Sequence, residues 1–264
     1  MSAAPLKNRI VLITGASSGI GKGLAVNFAK DGWHLVLAAR NVDQMQALAE
    51  DLNRRHGITA TVIGADLATE DGARFLHAEV KRRGIVISAL VNNAGHGASG
   101  EFKDSDLPSN LAMMRLNMTA VVILTSLFMP DLLACRGKLL NVASTAAFQP
   151  GPYMAVYFAT KSFVLSFSEA LASEIEDAGV TVTALCPGPT QSEFWNRPEM
   201  RKSALGRRKS LPSSEEVARH GYRAMQDGKR VMIPGLMNRL TSQSVRFMPR
   251  RLVTAVVKAM NKPT

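Results

Sequence analysis

Cysteine and clusters of metal ligands are scarce in this chain. Among its 264 residues there are only two cysteines, Cys135 and Cys186, which are too few for a disulfide framework. We therefore expect reduced thiols, as in a cytoplasmic protein. The two cysteines and five histidines show no spacing typical of metal ligands, so no metal site is expected.

Long apolar runs are also lacking. A membrane span needs roughly 18 apolar residues, and the longest run here, residues 121–129, is interrupted by Thr125 and Ser126. A strand-like run is reached by Ile10, so no signal peptide is expected before it. With no internal repeat, low-complexity segment or linker, the sequence predicts one domain over residues 1–264.

Acidic residues become rare toward the C-terminus. Residues 1–190 contain 16 basic and 16 acidic residues, whereas residues 191–264 contain 16 and 5. The whole net charge of +11 therefore belongs to this last part of the chain. Such an asymmetry suggests an anionic partner, and a solvated surface that only maintains solubility is the alternative.

Short runs rich in β-branched residues alternate with helical patterns along the chain. The predicted strands are residues 10–14, 34–39, 59–64, 85–92, 138–142, 180–186 and 230–233. Helices are predicted up to about residue 30, over 42–55 and over 70–83. Continuous apolar strands alternating with helices predict an α/β fold, a doubly wound, Rossmann-like parallel sheet with helices on both faces. Ligands of such sheets bind beyond the carboxyl ends of the strands.

Two further predicted helices, residues 111–133 and 157–175, are apolar on more than one face. One face of a sheet cannot cover both sides of a helix. Either another element of the chain or a second subunit must cover the rest, and we favour a homo-oligomer.

A glycine-rich turn, Thr14-Gly-Ala-Ser-Ser-Gly-Ile-Gly21, follows the first predicted strand and opens a helix. In that context the backbone can approach a pyrophosphate, and the helix N-terminus supplies N–H donors. The alternative is a plain tight turn. The predicted coenzyme contacts of the turn are Gly15, Ser17, Ser18, Gly19, Ile20 and Gly21.

The end of the second strand bears on the choice of coenzyme. It reads Leu37-Ala-Ala-Arg40-Asn41, with no carboxylate and one guanidinium. An acidic residue there would bind a ribose 2′-hydroxyl, whereas an arginine suits a 2′-phosphate. Arg40 therefore favours NADP(H) over NAD(H), and an exposed surface arginine is the alternative.

Three residues have the chemistry of carbonyl reduction. Tyr157 and Lys161 lie four residues apart on one face of a predicted helix, and Ser144 follows the fifth strand. A neighbouring ammonium is expected to lower the pKa of the tyrosine, and the serine hydroxyl can donate to a developing alkoxide. Ser144 alone would be read as a hydroxyl satisfied by backbone.

The order of these motifs, together with Asn92-Asn-Ala-Gly95 and Pro187-Gly188, resembles the short-chain dehydrogenase/reductase family. The resemblance covers residues 8–190 well, and the segment 148–157 is similar to the bacterial NADP-dependent branch. One departure is Ser88, where many members have aspartate before the fourth strand. The resemblance implies an NADP(H)-dependent oxidoreductase that acts on a carbonyl or alcohol.

The resemblance also implies roles for particular residues. Asn117 would complete a catalytic tetrad with Ser144, Tyr157 and Lys161, and hold a water beside the lysine. Lys161, with Tyr157, would also contact the nicotinamide ribose. The remaining implied coenzyme contacts are Asp66 and Leu67 at the adenine, Asn93, Ala94 and Gly95 at the adenosine ribose, and Pro187, Gly188 and Thr190 at the carboxamide.

The substrate side is expected to be built from residues 96–102, 145–153 and a stretch after Thr190. Residues 191–212 are predicted to form a mobile lid, with Phe194 and Trp195 followed by basic residues. Such an apolar mouth suits a hydrophobic carbonyl compound. A non-catalytic coenzyme-binding or sensing protein on the same fold is the alternative function, which turnover of any carbonyl would exclude.

The basic C-terminal extension, residues 236–264, contains no acidic residue. Apolar residues recur at helical spacing on both sides of Pro249. Such a segment predicts weak association with an anionic membrane surface or docking of an acidic carrier. The alternative is that the apolar stripe packs on the domain or on a second subunit. A specific nucleic-acid partner is not expected, because interleaved aromatics and a reader motif are lacking.

Overall fold

Seven parallel strands form one sheet in the computed structural model, which describes residues 9–196, 200 and 211–262. The strands are β1 (Ile10–Thr14), β2 (His34–Ala39), β3 (Ala60–Gly64), β4 (Ala89–Asn92), β5 (Lys138–Val142), β6 (Thr181–Leu185) and β7 (Val231–Met232). Their order is β3-β2-β1-β4-β5-β6-β7. The predicted doubly wound parallel sheet is confirmed, and its order reverses between β1 and β4.

Helices cover both faces of this sheet. They are α1 (Gly19–Lys30), α2 (Val42–His56), α3 (Gly72–Arg82), α4 (Leu107–Met114), α5 (Ala120–Cys135), α6 (Ala155–Glu174), α7 (Ser214–Gln226), α8 (Leu236–Ser244) and α9 (Arg250–Asn261). A π-helical segment, Arg115–Thr119, joins α4 to α5. In β1, Val11 and Ile13 belong to the core on the side of α1, α2 and α7, and Leu12 belongs to the core beside α3 and α5.

The fourth strand is shorter than predicted. It begins at Ala89 rather than at residue 85, because the residues before it have other hydrogen-bond partners. The N–H of Ile85 donates to the carbonyl of Val80, which closes the end of α3, and the N–H of Ile87 donates to the carboxylate of Asp131. The same carboxylate forms an ion pair with Lys81.

The helix predicted over 111–133 is longer and less regular than expected. It runs from Leu107 to Cys135 with the π-helical segment inside it. By length and composition this stretch could cross a membrane, which corrects the expectation that none could. It packs against the sheet through Leu124, Phe128 and Leu132, all buried in the core. The other apolar helix, α6, begins two residues earlier than predicted.

The C-terminal extension folds into α8 and α9, which Pro249 separates as predicted. Val253 and Val257 pack on the domain, so the packing alternative is correct for these two residues. Leu236, Met237 and Leu240 of α8 are exposed, so these residues do not pack on the domain, and packing on a second subunit stays a prediction.

Candidate active site

The glycine turn lies at the carboxyl end of β1 and its geometry fits a phosphate. Gly15 has φ +65° and donates its N–H to the carbonyl of Ala38 at 2.7 Å. Ser18, the residue that precedes α1, is extended and forms no side-chain cap, and the first turn of the helix has no acidic residue. The first N–H groups of α1 therefore remain available to an anion, which the helix dipole also favours.

Close packing explains why two positions of the turn are glycine. A Cβ on Gly15 would lie 2.8 Å from Nδ2 of Asn93, and a Cβ on Gly21 would lie 2.2 Å from the carbonyl oxygen of Gly15. Asn93 fixes the turn further, because its Nδ2 donates to the carbonyls of Thr14 and Gly15. The turn after β1 and the loop after β4 are thus held together as one surface.

Thr14 is a positioning residue: the sequence analysis gave it as the first residue of the glycine-rich turn but assigned no role to its side chain. Its buried hydroxyl donates to the carbonyl of Val91 and accepts from the N–H groups of Asn93 and Ala94, each at 3.0 Å. One side chain therefore links the ends of β1 and β4. The signals in the sequence are that a polar residue closes an otherwise apolar strand and that it begins the glycine-rich turn.

The other predicted adenosine contacts lie beyond the ends of β2 and β3. Arg40 is exposed directly after β2. Asp66 follows β3, and its Oδ1 accepts the N–H of Ala68 at 3.0 Å, while Leu67 is buried in the core. The structure thus places these residues at the same edge of the sheet as the glycine turn, where a dinucleotide would extend across the strand ends.

Ser144 begins the short 3₁₀ helix Thr145–Phe148 after β5. Its hydroxyl accepts the N–H of Ala146 at 3.1 Å and donates to the carbonyl of Pro187 at 3.3 Å. These bonds orient the hydroxyl between the end of β5 and the segment after β6. The alternative, that backbone groups satisfy the Ser144 hydroxyl, is therefore correct as well. The same hydroxyl also forms a hydrogen bond with Tyr157.

Tyr157 and Lys161 lie on the first turns of α6, beside Ser144. Lys161 is buried; its Nζ donates to the carbonyl of Val142 at 2.8 Å and lies 5.8 Å from the centre of the Tyr157 ring. Burial lowers the pKa of Lys161 to about 8, and the neighbouring Cys186 acts in the opposite direction. Burial raises the pKa of Tyr157 to about 12, against a lowering by its hydrogen bond with Ser144.

The tyrosine pKa therefore differs from the prediction. The sequence reasoning expected the lysine ammonium to lower it, whereas desolvation of the phenolate dominates here and raises it. Tyr157 is a phenol at neutral pH, the form that can donate a proton.

Asn117 is held in the π-helical segment and its side chain is buried. Its Oδ1 accepts the N–H of His96 at 3.1 Å, and its Nδ2 donates to the carbonyl of His96 at 2.9 Å and to the hydroxyl of Thr160 at 3.0 Å. Gly95 lies next to it, because a Cβ there would be 3.1 Å from the Asn117 oxygen and 3.4 Å from Nζ of Lys161. The structure thus brings Asn117 beside the lysine, as the resemblance implied.

The predicted carboxamide segment follows β6. Thr190 is buried and donates its hydroxyl to the carbonyl of Gly188 at 2.9 Å, and the carbonyl of Pro187 accepts the N–H of Thr145. A Cβ on Gly188 would lie 2.6 Å from Nδ2 of Asn238 in α8. The sequence reasoning missed Asn238, because no motif connects these two segments.

Apolar side chains pack beside the tyrosine. Tyr157 and Phe194 have ring centres 5.7 Å apart, and both pack against a buried cluster. That cluster contains Ala146, Met154, Phe158, Met200, Val253 and Val257. Phe102 is largely exposed, so its predicted place in the pocket wall is not seen.

Much of the predicted lid, residues 191–212, falls outside the part of the chain that the structure describes. Residues 197–199 and 201–210 lie outside it, together with the side chains of Trp195 and Asn196. Among the residues that the structure does describe, no group of three potential metal ligands occurs.

Comparisons with known proteins agree with this geometry. The family model of short chain dehydrogenases matches residues 9–202. A short-chain dehydrogenase from Sphingobium yanoikuyae, solved in complex with NADPH, is 31% identical, with a TM-score of 0.81 over 90% of this chain and 93% of that one. The bulky-bulky ketone specific alcohol dehydrogenase from Comamonas testosteroni is 30% identical, with a TM-score of 0.76 over 92% and 95%.

Curated relatives have more varied names. Sulfoacetaldehyde reductase 2 from Chromohalobacter salexigens is 34% identical over 70% of this chain and 74% of its own length. The 17-beta-hydroxysteroid dehydrogenase type 3 of Mus musculus is 33% identical over 67% of this chain, but the match spans only 58% of the mouse protein.

Proposed function

Because the chain belongs to the short-chain dehydrogenase family, we propose that it is an NADP(H)-dependent oxidoreductase that reduces a bulky apolar ketone. One observation carries this proposal. Ser144, Tyr157, Lys161 and Asn117 come together at the carboxyl edge of the sheet, beside a turn suited to a pyrophosphate.

The chain's own residues would handle the proton of this reaction. When bound, the nicotinamide coenzyme supplies the hydride that reduces the carbonyl carbon. Tyr157, with a pKa of about 12, holds a proton at Oη that the carbonyl oxygen can take up. Ser144 orients that oxygen with its hydroxyl, and the ammonium of Lys161 favours the phenolate left on Tyr157.

Arg40 supports the proposed preference for NADP(H). It is exposed at the carboxyl end of β2, where the chain offers no carboxylate to bind a ribose hydroxyl. A guanidinium at this position can donate two hydrogen bonds to a 2′-phosphate. The structurally similar dehydrogenase from Sphingobium yanoikuyae was solved with NADPH.

The walls beside Tyr157 support the proposed substrate class. Phe194 packs against the ring of Tyr157, and both lie against an apolar cluster that contains the buried Met154 and Phe158. Relatives named for hydroxysteroids and for bulky ketones point in the same direction. An apolar pocket gains affinity from burial of an apolar substrate.

Oxidation of NADPH with a panel of steroid, quinone and fatty acyl carbonyl compounds tests the proposal, with Tyr157→Phe as the matched control. We expect the unmodified chain to turn over at least one bulky ketone and the Tyr157→Phe variant to turn over none. Binding of NADPH without reduction of any compound would instead support the non-catalytic alternative.

We also propose that a second copy of the chain covers the outer sides of α5 and α6. Val122 and Leu133 are exposed there, and the stacked rings of Phe163 and Phe167 lie 5.9 Å apart. An apolar groove between the two helices includes Met129. The thiols of Cys135 and Cys186 support the further proposal that this assembly lies in a reducing cytoplasm. Light scattering tests it: Phe163→Glu should reduce the molar mass of the assembly.

A further inference from the structure

Helix α8 presents apolar side chains to solvent and polar ones to the protein. Leu236 and Met237 are 73% and 71% exposed, and Leu240 is 56% exposed. On the inner side, Ser242 is buried and Asn238 abuts Gly188. A helix on the surface of a protein in water has the opposite arrangement. The outer side of α8 is therefore suited to apolar surroundings.

The pattern continues beyond α8. Phe247, between α8 and α9, is 88% exposed, more than any other large apolar side chain in the described part of the chain. In α9 the stripe that contains Val253 and Val257 is buried, while a neighbouring stripe from Leu252 to Met260 is exposed. We call the exposed apolar side chains of α8 and α9, together with Phe247, the C-terminal surface.

Basic side chains accompany this surface. Arg239, Arg246, Arg250, Arg251 and Lys258 are all exposed. Residues 236–264 contain no acidic residue, and none of these five side chains takes part in the ion pairs found among the described residues. A helix is only about 10 Å across, so these charges lie within about one Debye length of whatever contacts the apolar stripes.

We propose that the C-terminal surface docks on an anionic lipid bilayer. Exposed aliphatic side chains with basic neighbours are the pattern of helices that lie in a membrane interface. A second copy of the chain is a poor occupant, because two-fold pairing would bring one basic segment against another. An anionic polymer would satisfy the arginines but would leave Leu236, Met237 and Phe247 in water.

The position of the segment gives this docking a consequence. Val253 and Val257, on the inner side of α9, belong to the cluster against which Tyr157 packs. A bilayer at the C-terminal surface would therefore lie behind one wall of the candidate site. An apolar ketone could then reach the site from the lipid. This consequence rests on the proposed function, whereas the binding of vesicles does not.

Co-sedimentation of the full chain with vesicles tests the proposal. One set contains phosphatidylcholine alone, and the other contains about one-third phosphatidylglycerol, each at about 0.05 M and about 0.5 M salt. We expect pelleting with the anionic vesicles at low salt and a strong reduction at high salt. Equal pelleting with both lipids, or none with either, would overturn the proposal.

Two pairs of substitutions separate local from overall charge. At roughly a factor of five per basic residue, Arg246→Gln with Arg251→Gln should weaken partitioning about 25-fold. The control pair, Arg54→Gln with Arg74→Gln, removes the same charge from α2 and α3 and should change partitioning little. Equal loss in both pairs would mean that net charge alone binds the vesicles, which would overturn the proposal.

The apolar stripe is tested by Leu236→Ser with Leu240→Ser, two exposed positions where folding should tolerate the change. We expect several-fold weaker binding to anionic vesicles and unchanged molar mass without lipid. Unchanged vesicle binding would indicate that the apolar side chains do not contribute and that the surface binds through its charges alone, as it would bind an anionic polymer. A fall in molar mass would indicate that a second copy covers α8, and either result would overturn the proposal.

Discussion

Asn117→Ala separates a role in turnover from a role in stability. The substitution removes the two hydrogen bonds to the backbone of His96 and the one to Thr160. The Thr160 hydroxyl still bonds to the carbonyl of Tyr157, and His96 is only half-buried, so water can partly replace the lost bonds. At the low end of roughly 1–3 kcal/mol for each lost backbone partner, we expect a destabilisation of about 2 kcal/mol.

For a chain of this length that destabilisation corresponds to a fall in Tm of about 4–8 °C. The loss of stability does not account for the expected loss of turnover. We expect kcat to fall by about 10²-fold, because the loop at Gly95 and His96 would no longer be fixed beside Lys161. The assay compares kcat for ketone reduction with the melting curve of the same preparation, at a temperature where the variant is folded.

Asn53→Ala is the matched control. Asn53 also uses a side-chain amide to hold backbone, because its Oδ1 accepts the N–H of Ala60 at 2.8 Å, but it lies on α2 away from the tyrosine. It should lower Tm by about 2–4 °C and leave kcat unchanged. If the two variants lose the same fraction of activity, the argument for Asn117 at the site is refuted.

Three other predictions concern the chemistry. Tyr157→Phe should lower turnover at least about 10²-fold and leave NADPH binding, followed by coenzyme fluorescence, nearly intact; more than about a tenth of the rate remaining would remove Tyr157 as proton donor. Ala39→Asp with Arg40→Ala should shift kcat/KM from NADPH toward NADH, and equal use of both coenzymes by the unmodified chain would contradict the interpretation of Arg40. Because the pKa of Lys161 is about 8 and its ammonium is the useful form, kcat/KM for reduction should be flat below about pH 8 and fall above it; a rise there would contradict its role.

The strands were largely predictable from the sequence because fully buried parallel strands are continuous apolar runs. β1, β2 and β5 begin and end at the predicted residues. The start of β4 was not predictable, since Ile85 and Ile87 are as apolar as the strand itself. Their N–H groups bond to Val80 and to the carboxylate of Asp131, which is distant in sequence.

At the candidate site the residue types were predictable and the electrostatics were not. Ser144 and Lys161 lie where their motifs predicted, because the carboxyl ends of parallel strands share one edge. The pKa of Tyr157 depends on how far the ring is desolvated by neighbours such as Phe194, which no spacing rule gives. The direction in which α8 faces was equally hidden, since Leu236 and Leu240 have the same helical spacing whether they point inward or outward.

In the π-helical segment that carries Asn117, the number of residues matters more than their identity. A π turn is an α-helix with one residue added, so residues before and after it are offset by about 100° around the axis. Loss of one residue within 115–119 would restore a regular helix and rotate α4 relative to α5. Since Phe128 and Leu132 anchor α5 in the core, the rotation would fall on α4 and carry Met113 out of its buried position. Single-residue deletions should therefore be tolerated far less in this segment than substitutions, whereas an ordinary surface loop tolerates both.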